Sequence, residues 1–168
     1  AIEGRQDGTG MSEEFDGVVL TPREVFELLP QKEPFLFVDE VLEVSDEHIV
    51  ACFTFREDHD FYRGHFPGRP VTPGVILLES LAQVGVVGLG LYLIARAQGR
   101  DAVLDALALF TDANVEFTGL VSPGDRVTIR ANKVFFRRGK VRSEAEMTLD
   151  DGTVVCSGTI SGMGVPRQ

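Results

Sequence analysis

Tryptophan is absent from the 168-residue chain, and cysteine occurs only twice, at Cys52 and Cys156. Each cysteine lies in a strand-like segment, which is typical of a buried reduced thiol and not of a disulfide framework. Histidine occurs three times. No spacing of these cysteines and histidines resembles a zinc site, so the sequence predicts no metal centre.

Positive charge is also scarce, because 16 Lys and Arg residues stand against 26 Asp and Glu residues and give a net charge of −10. This balance argues against a general nucleic-acid binder, which should be basic. The charge is unevenly placed, since residues 126–142 contain seven basic side chains and no acidic one. Two interpretations stay open for this window: a solvated strand pair whose charge protects a sheet edge, or a docking patch for an acidic partner.

Apolar residues make up 43% of the chain and charged residues 25%, which is a globular composition, and the length predicts one domain. Residues 1–10 are interpreted as an expression remnant because Ile2-Glu3-Gly4-Arg5 resembles an engineered protease site. A single domain is therefore expected over residues 11–168. The acidic, polar segment after Met11 does not resemble a secretory signal, so a cytoplasmic location is expected.

Two segments have the pattern of a helix. Thr21, Pro22 and Glu24 form a helix-start signature and predict a short helix over residues 22–29. Residues 73–98 form the longest apolar segment, and its length alone would allow a membrane span. Polar residues interrupt its first half and glycines lower its helix propensity, so we predict a helix buried on most sides and no membrane span.

The remaining apolar segments have the pattern of β-strands separated by turns. They cover residues 35–44, 48–56, 107–117, 126–136, 141–149 and 153–163. One long helix among about six antiparallel strands indicates an α+β fold. A curved sheet wrapped around that helix would explain why the helix has no polar face.

Three residues around the start of the long helix have the chemistry of a catalytic site. His65 lies in a loop that leads into the helix, and a neutral histidine can act as a general base. Glu79 lies among apolar neighbours, where a glutamic acid that stays protonated can act as a general acid. Gln83 follows one turn later on the same face. The alternative is that Glu79 and Gln83 only satisfy nearby backbone while His65 braces the loop.

The helix start supplies the third component of such a site. Free backbone N–H groups near Gly74 and the positive end of the helix dipole suit a developing oxyanion. Base, acid and oxyanion donor together fit proton abstraction next to a carbonyl, with loss or relocation of a leaving group. Of the other two histidines, His48 is expected to be solvated at a hairpin turn, and His59 is expected to be a surface loop residue.

The same residues carry a family resemblance. Residues 61–75, FYRGHFPGRPVTPGV, and residues 79–83, ESLAQ, resemble the FabZ-type β-hydroxyacyl-acyl carrier protein dehydratases. Residues 29–39 and the turn at residues 121–125 are also similar, and the likeness spans about residues 28–163. The resemblance implies a hot-dog fold that forms a homodimer or a trimer of dimers, with two active sites at the dimer interface and no cofactor.

The resemblance also implies a role for each site residue. His65 would take the α-proton of a 3-hydroxyacyl thioester, and Glu79 of the partner subunit would protonate the departing hydroxyl to give a trans-2-enoyl thioester and water. The backbone N–H of Gly74 would bind the thioester carbonyl, and Gln83 would orient Glu79. A glutamate at position 79 favours the FabZ type over the FabA type, which also isomerises its product. Further substrate contacts are assigned to Phe66, Thr72 and Val75.

The thioester carrier, acyl carrier protein or coenzyme A, is expected to dock on basic side chains. These are Arg63 and Arg69 beside His65, and Arg137, Arg138 and Lys140 in the basic window. The chain departs from the family at Thr72, where Met is usual, at Glu33, where Tyr is usual, and at residues 116–119, which lack the usual basic side chains. A hot-dog thioesterase and a non-catalytic acyl- or carrier-binding module are the alternative functions, and the pairing of His65 with Glu79 argues against the thioesterase.

Overall fold

The computed structural model describes residues 19–167. The proposed expression remnant and the acidic segment after Met11 therefore lie outside the described residues, and the domain bounds of 11–168 stay a prediction.

Six antiparallel strands form one sheet in the order β1-β2-β4-β5-β6-β3. The strands are β1 (Glu40–Val44), β2 (His48–Thr54), β3 (Ala106–Phe117), β4 (Arg126–Arg137), β5 (Lys140–Leu149) and β6 (Val154–Pro166). The predicted α+β layout is confirmed, with β3 at one edge of the sheet. The first strand begins five residues later than predicted, at Glu40 and not at residue 35. The reason is that the Phe37 backbone bonds to side chains of the long helix.

Helical segments precede and follow the first hairpin. Helix α1 (Pro22–Leu28) begins with the predicted capping box, in which Thr21 and Glu24 bond to each other's backbone N–H. A 3₁₀ turn (Asp60–Arg63) leads into the loop that carries His65. A short helix after the long one, α4 (Arg100–Leu104), was not predicted from the sequence.

The long helix runs from Gly74 to Gln98 and has three parts. Helix α2 (Gly74–Ala82) continues through a π-helical segment (Gln83–Gly88) into helix α3 (Leu89–Gln98). The helix is long and apolar enough to cross a membrane by composition alone, but 72% of its most apolar window is buried inside the fold. A core helix passes the same test of length and composition.

Close approach of this helix to the sheet depends on a glycine in the π-helical segment. A Cβ atom at Gly85 would lie 2.9 Å from side-chain carbons of Ala131 on β4 and Ile160 on β6. The carbonyl of Gly85 accepts a hydrogen bond of 2.6 Å from the buried hydroxyl of Ser143 on β5. The helix therefore packs directly on the central strands, which positions its N-terminal half, with Glu79 and Gln83, against the body of the protein.

Candidate active site

The His65 loop fixes the imidazole through the backbone of Val71. Nδ1 of His65 lies 2.8 Å from the carbonyl oxygen of Val71, and the N–H of Val71 donates to the carbonyl of His65 at 3.0 Å. Because a carbonyl oxygen only accepts, Nδ1 carries the proton and Nε2 keeps its lone pair. The ring is half-buried and stacks on Phe66, with centroids 4.1 Å apart. This arrangement gives His65 the tautomer that a general base needs.

The start of the long helix lies a few residues further along the same segment. Pro73 is the N-cap residue, and no side chain within the described part of the chain caps this end. The N–H groups of Ile76 and Leu77 bond to the carbonyl of Pro73, so the first N–H groups, beginning with Gly74, are those that a helix leaves without an intrahelical partner. The N–H of Gly74 therefore lies at the end of the helix where the sequence predicts an oxyanion donor, and its role stays a prediction.

An aromatic ring that sequence reasoning missed covers this helix start. A Cβ atom at Gly74 would lie 3.4 Å from the ring of Phe117, which is the last residue of β3 and is 49% exposed. The sequence predicts only that Phe117 lies in a strand. It does not predict the contact with Gly74, because the two residues are 43 positions apart. A larger residue at position 74 would push against this ring.

Glu79 and Gln83 are in direct contact. Nε2 of Gln83 donates a hydrogen bond to Oε1 of Glu79 at 2.9 Å, and Gln83 is fully buried. Oε1 of Gln83 accepts from the N–H of Phe37 at 2.8 Å, and Nε2 also donates to the carbonyl of Phe35 at 2.9 Å. Glu79 itself is half-buried in the single chain, less than its apolar neighbours suggested. The amide of Gln83 thus links the carboxyl group of Glu79 to a fixed stretch of backbone.

Ser80 completes the attachment of that backbone. Its buried hydroxyl donates to the carbonyl of Phe37 at 2.8 Å, so two side chains of one helix hold both polar groups of Phe37. The ring of Phe37 packs against Phe53 in an edge-on arrangement, with centroids 5.8 Å apart. No local pattern in the sequence signals the hydrogen bond between Ser80 and Phe37, since the two residues lie more than 40 positions apart.

The predicted site residues fall into two groups within one chain. His65 and Gly74 lie on the loop and helix start, whereas Glu79 and Gln83 face the Phe35–Phe37 backbone. Among residues 19–167, His65 and Glu79 share no hydrogen bond.

The three predicted substrate-contact residues differ in exposure. Phe66 is 54% exposed and Val75 is 73% exposed, and both lie close in sequence to His65 or Gly74. Thr72 is only 5% exposed, and its hydroxyl lies against the hydroxyl of Tyr62. Phe66 and Val75 can therefore contact a ligand at the surface of the single chain, while the side chain of Thr72 faces the interior.

Much of the basic window is neutralised by acidic neighbours. Arg126 pairs with Asp150, Lys133 with Glu47, and both Lys140 and Arg142 with Asp112. Over the part of the chain that the structure describes, no ion pair engages Arg137 or Arg138 at the β4–β5 turn. Arg63 pairs with Asp60 at 3.1 Å, and Arg69 is exposed beside His65.

These basic side chains also lie at two different ends of the fold. The β4–β5 turn contacts Gly164, which packs near Ile94 towards the C-terminal end of the long helix. Ile94 is 20 residues after Gly74, roughly 30 Å along a helix axis. Within one chain, Arg137 and Arg138 are therefore remote from His65, whereas Arg63 and Arg69 flank it.

His59 lies in a loop, as predicted, but it is only partly exposed at the surface. Its ring stacks on Phe61 with centroids 5.1 Å apart and lies 5.8 Å from Phe53, and its Nε2 is buried without a hydrogen-bond partner in the structure. Burial, with a smaller contribution from the positive charge of Arg56, lowers the pKa of His59. Charged and aromatic residues are mixed around position 59, so the local sequence does not predict that His59 joins an aromatic cluster. That cluster depends on packing between segments that are distant in sequence.

No group of three or more His, Cys, Asp or Glu side chains in the described residues is arranged to hold a metal ion.

Comparison with known proteins adds independent information to this geometry. The family described as "FabA-like domain" matches residues 29–160. The 3-hydroxyacyl-[acyl-carrier-protein] dehydratase FabZ of Lactococcus lactis subsp. cremoris is 34% identical over 139 residues, which cover 82% of this chain and 90% of that protein. The protein of the same name from Streptococcus pyogenes is also 34% identical over 139 residues, with coverage of 83% and 94%.

Solved structures show the same architecture. The dehydratase heterocomplex ApeI:P from Xenorhabdus doucetiae aligns with a TM-score of 0.66 at 20% identity and covers 88% of this chain and 93% of that one. A thioesterase from Haemophilus influenzae aligns with a TM-score of 0.62 at 13% identity, with coverage of 89% and 93%. At these identities the likeness concerns the fold alone, and it confirms the predicted hot-dog fold.

Proposed function

We propose a mechanism from the premise that the chain belongs to the FabA-like family and, within it, to the FabZ-type 3-hydroxyacyl-[acyl-carrier-protein] dehydratases. Its function is the dehydration of a 3-hydroxyacyl thioester to a trans-2-enoyl thioester in fatty acid synthesis, a hydro-lyase reaction. The observation that carries the mechanism is the hydrogen bond from Nδ1 of His65 to the carbonyl of Val71, which leaves Nε2 free to accept a proton.

The first half of the reaction uses His65 and Gly74. Nε2 of His65 takes the proton from C2 of the thioester, and the negative charge that develops on the carbonyl oxygen is stabilised by the N–H of Gly74 at the helix start. The exposed side chains of Phe66 and Val75 would contact the substrate next to these groups.

The second half uses the carboxyl group of Glu79 of the partner subunit. In each chain Gln83 donates to Oε1 of Glu79, so the transferable proton belongs on Oε2. That proton goes to the 3-hydroxyl group, the C3–O bond breaks, and water leaves while the C2–C3 double bond forms. His65 ends protonated and Glu79 of the partner subunit ends ionised, so a proton moving from the former to the latter, directly or through water, resets the site.

A shared site requires a dimer, and the edge strand β3 supports one. An edge strand presents unpaired backbone groups that a second copy can bond. Phe110 and Phe117, on the face of β3 that points towards the long helix, are 48% and 49% exposed in the single chain. Because Phe117 packs against Gly74, the two-fold axis must pass towards this end of β3 if Glu79 of the partner subunit is to reach His65.

The exposed basic side chains would bind the carrier of the thioester. Arg63 and Arg69 flank His65 and would attract an acidic carrier protein directly to the site, chiefly by raising the association rate. Arg137, Arg138 and Lys140 would form a second basic contact, although Lys140 is already paired with Asp112 at 3.6 Å.

The free, buried thiols of Cys52 and Cys156 support a reducing compartment such as the cytoplasm.

The test is a direct assay of the reverse reaction with a crotonyl thioester as probe. We expect the ultraviolet absorbance of the enoyl thioester to fall as water adds, without release of free thiol. Thiol release without hydration would indicate a thioesterase. If neither hydration nor thiol release occurs, the result would indicate the non-catalytic acyl- or carrier-binding module.

A further inference from the structure

A pair of buried hydroxyl groups closes the loop that carries His65. The hydroxyl of Tyr62 lies 2.5 Å from Oγ1 of Thr72, and the two side chains are 6% and 5% exposed. Burial raises the pKa of Tyr62, so its hydroxyl keeps a proton to donate at neutral pH. Tyr62 precedes His65 by three residues and Thr72 follows Val71 directly, so the pair joins the two ends of the loop.

Thr72 attaches the C-terminal end of this loop to the rest of the fold. Its N–H donates to the carbonyl of Val121, at the start of the turn before β4, over 2.9 Å. The residues from Phe66 to Pro70 are exposed, and Phe66 contacts His65 by ring stacking, so this segment provides no buried attachment of the loop to the rest of the fold. The rigid connection from His65 to the helix start therefore runs through the backbone pair with Val71 and then through Thr72.

We infer that the Tyr62–Thr72 hydroxyl pair positions the imidazole of His65 and the N–H of Gly74 relative to each other. This inference rests on the proposed function, in which both groups act on one thioester. The C2 proton and the carbonyl oxygen of a thioester lie on adjacent carbon atoms, so base and oxyanion donor must be held within a few tenths of an ångström of the productive spacing. Thr72 stands between them, and Pro73 restricts its backbone to an extended conformation.

The pair also gives a physical reason for a departure noted in the sequence. A methionine at position 72 would offer only a weak thioether acceptor to a buried phenol, whereas a threonine offers a hydroxyl that both donates and accepts. In this chain the interaction that fixes the loop is therefore polar and directional. Tyr62 and Thr72 act as positioning residues, since they act through His65 and Gly74.

The experiment removes each hydroxyl with little change of shape, in Tyr62→Phe, in Thr72→Val and in the double variant. We expect each single variant to lower kcat for crotonyl thioester hydration about tenfold to a hundredfold, with KM changed less than about threefold. The double variant should be no slower than the worse single variant, because one shared interaction is removed. Thr72→Ser should restore most of the rate that Thr72→Val loses.

Tyr92→Phe is the matched control, since Tyr92 is the other tyrosine, is 5% exposed and lies on α3 away from the site. Its kcat should stay within about twofold of the wild type. In the dehydration direction, the primary deuterium isotope effect for a 3-hydroxybutyryl thioester labelled at C2 should rise in Tyr62→Phe, because proton removal is then less well aligned. A loss of melting temperature with unchanged kcat and isotope effect would overturn the inference, as would additive effects in the double variant.

A second measurement does not depend on activity. In protein labelled with ¹⁵N-histidine, the Nδ1–H signal of His65, identified by its loss in His65→Ala, should be sharp in the wild type and weakened by fast solvent exchange in Tyr62→Phe. If the wild-type protein does not hydrate the crotonyl thioester, the proposed function is contradicted. The Nδ1–H signal of His65 would then be the only test of the positioning inference. An unchanged Nδ1–H signal in Tyr62→Phe would overturn it.

Discussion

Gln83 donates a hydrogen bond to Oε1 of Glu79 over 2.9 Å, and the protein backbone allows this amide only one orientation. Its carbonyl accepts from the N–H of Phe37, and its second N–H donates to the carbonyl of Phe35. A 180° flip would bring donor against donor at Phe37 and acceptor against acceptor at Phe35. Gln83 therefore presents a donor to Oε1 of Glu79. In the proposed mechanism this leaves Oε2 for the proton that Glu79 transfers.

Replacing Gln83 with leucine should separate the two effects of this amide. We expect Gln83→Leu to lower kcat for crotonyl thioester hydration about tenfold to a hundredfold, because Glu79 loses its orientation. We also expect a lower melting temperature, since the unpaired N–H of Phe37 costs about 1–3 kcal/mol. The control is Ser143→Ala, which removes a buried hydrogen bond to the same helix at Gly85 without touching Glu79. If both variants lose stability but neither loses kcat, Gln83 does not position the acid.

His59 should make the folded protein less stable in mild acid. Burial holds its pKa below the ordinary value of 6.5, so the unfolded chain binds a proton more readily than the folded chain. Stability should therefore be complete above about pH 6.5 and fall as the pH drops from there to the folded pKa. His59→Phe keeps a ring to stack on Phe61 and removes the unpaired Nε2, so urea unfolding should show a smaller loss over this range. Identical pH profiles for the two proteins would contradict the explanation.

Local patterns in the sequence were sufficient to predict most of the fold. The capping box at Thr21 and Glu24, the alternation in the strands and the turn residues are interactions between near neighbours in sequence, and each is observed. The π-helical segment was not predicted, because it depends on how closely Gly85 approaches β4 and β6.

The candidate site divides in the same way. His65, Glu79 and Gln83 were identified from residue chemistry and a motif of adjacent residues. Two neighbours were missed, Phe37, which bonds to Gln83, and Phe117, which packs on Gly74, because each contact joins segments more than 40 residues apart. Phe37 contributes a backbone N–H and Phe117 contributes a ring face, and a sequence motif does not identify either kind of contact.

Charge reversal should reveal where the carrier docks. We expect Arg63→Glu with Arg69→Glu to raise KM for a carrier-protein-linked substrate about fivefold to tenfold at low salt and to leave KM for a small thioester unchanged. Arg137→Glu with Arg138→Glu should act in the same direction but less strongly, because that turn is remote from His65 of its own chain. The effect should shrink as ionic strength rises. Arg23→Glu with Arg100→Glu, an equal charge change at exposed sites outside the basic window, is the control. Equal changes in KM for both substrates would exclude electrostatic docking.

Mixing two inactive variants should test whether the active site is shared between subunits. His65→Ala and Glu79→Gln should each lower kcat by about 10²–10⁴-fold while leaving the dimer folded, because each removes a proton-transfer group. If His65 of one chain works with Glu79 of the partner subunit, a mixed dimer has one site with both defects and one intact site. Unfolding and refolding an equal mixture should then restore about a quarter of wild-type activity, since half the dimers are mixed and each holds one working site.

If His65 and Glu79 of the same chain formed the site, every site in the mixture would still lack one group, and no activity would return. Refolding each variant alone is the control for recovery, and size-exclusion chromatography must show dimers in all three samples. Activity near a quarter of the wild type would also require that the two-fold axis brings the helix starts of both subunits together. That places the axis near the Phe117 end of β3, where the ring of Phe117 packs on Gly74. A mixture no more active than its parents would exclude the shared site.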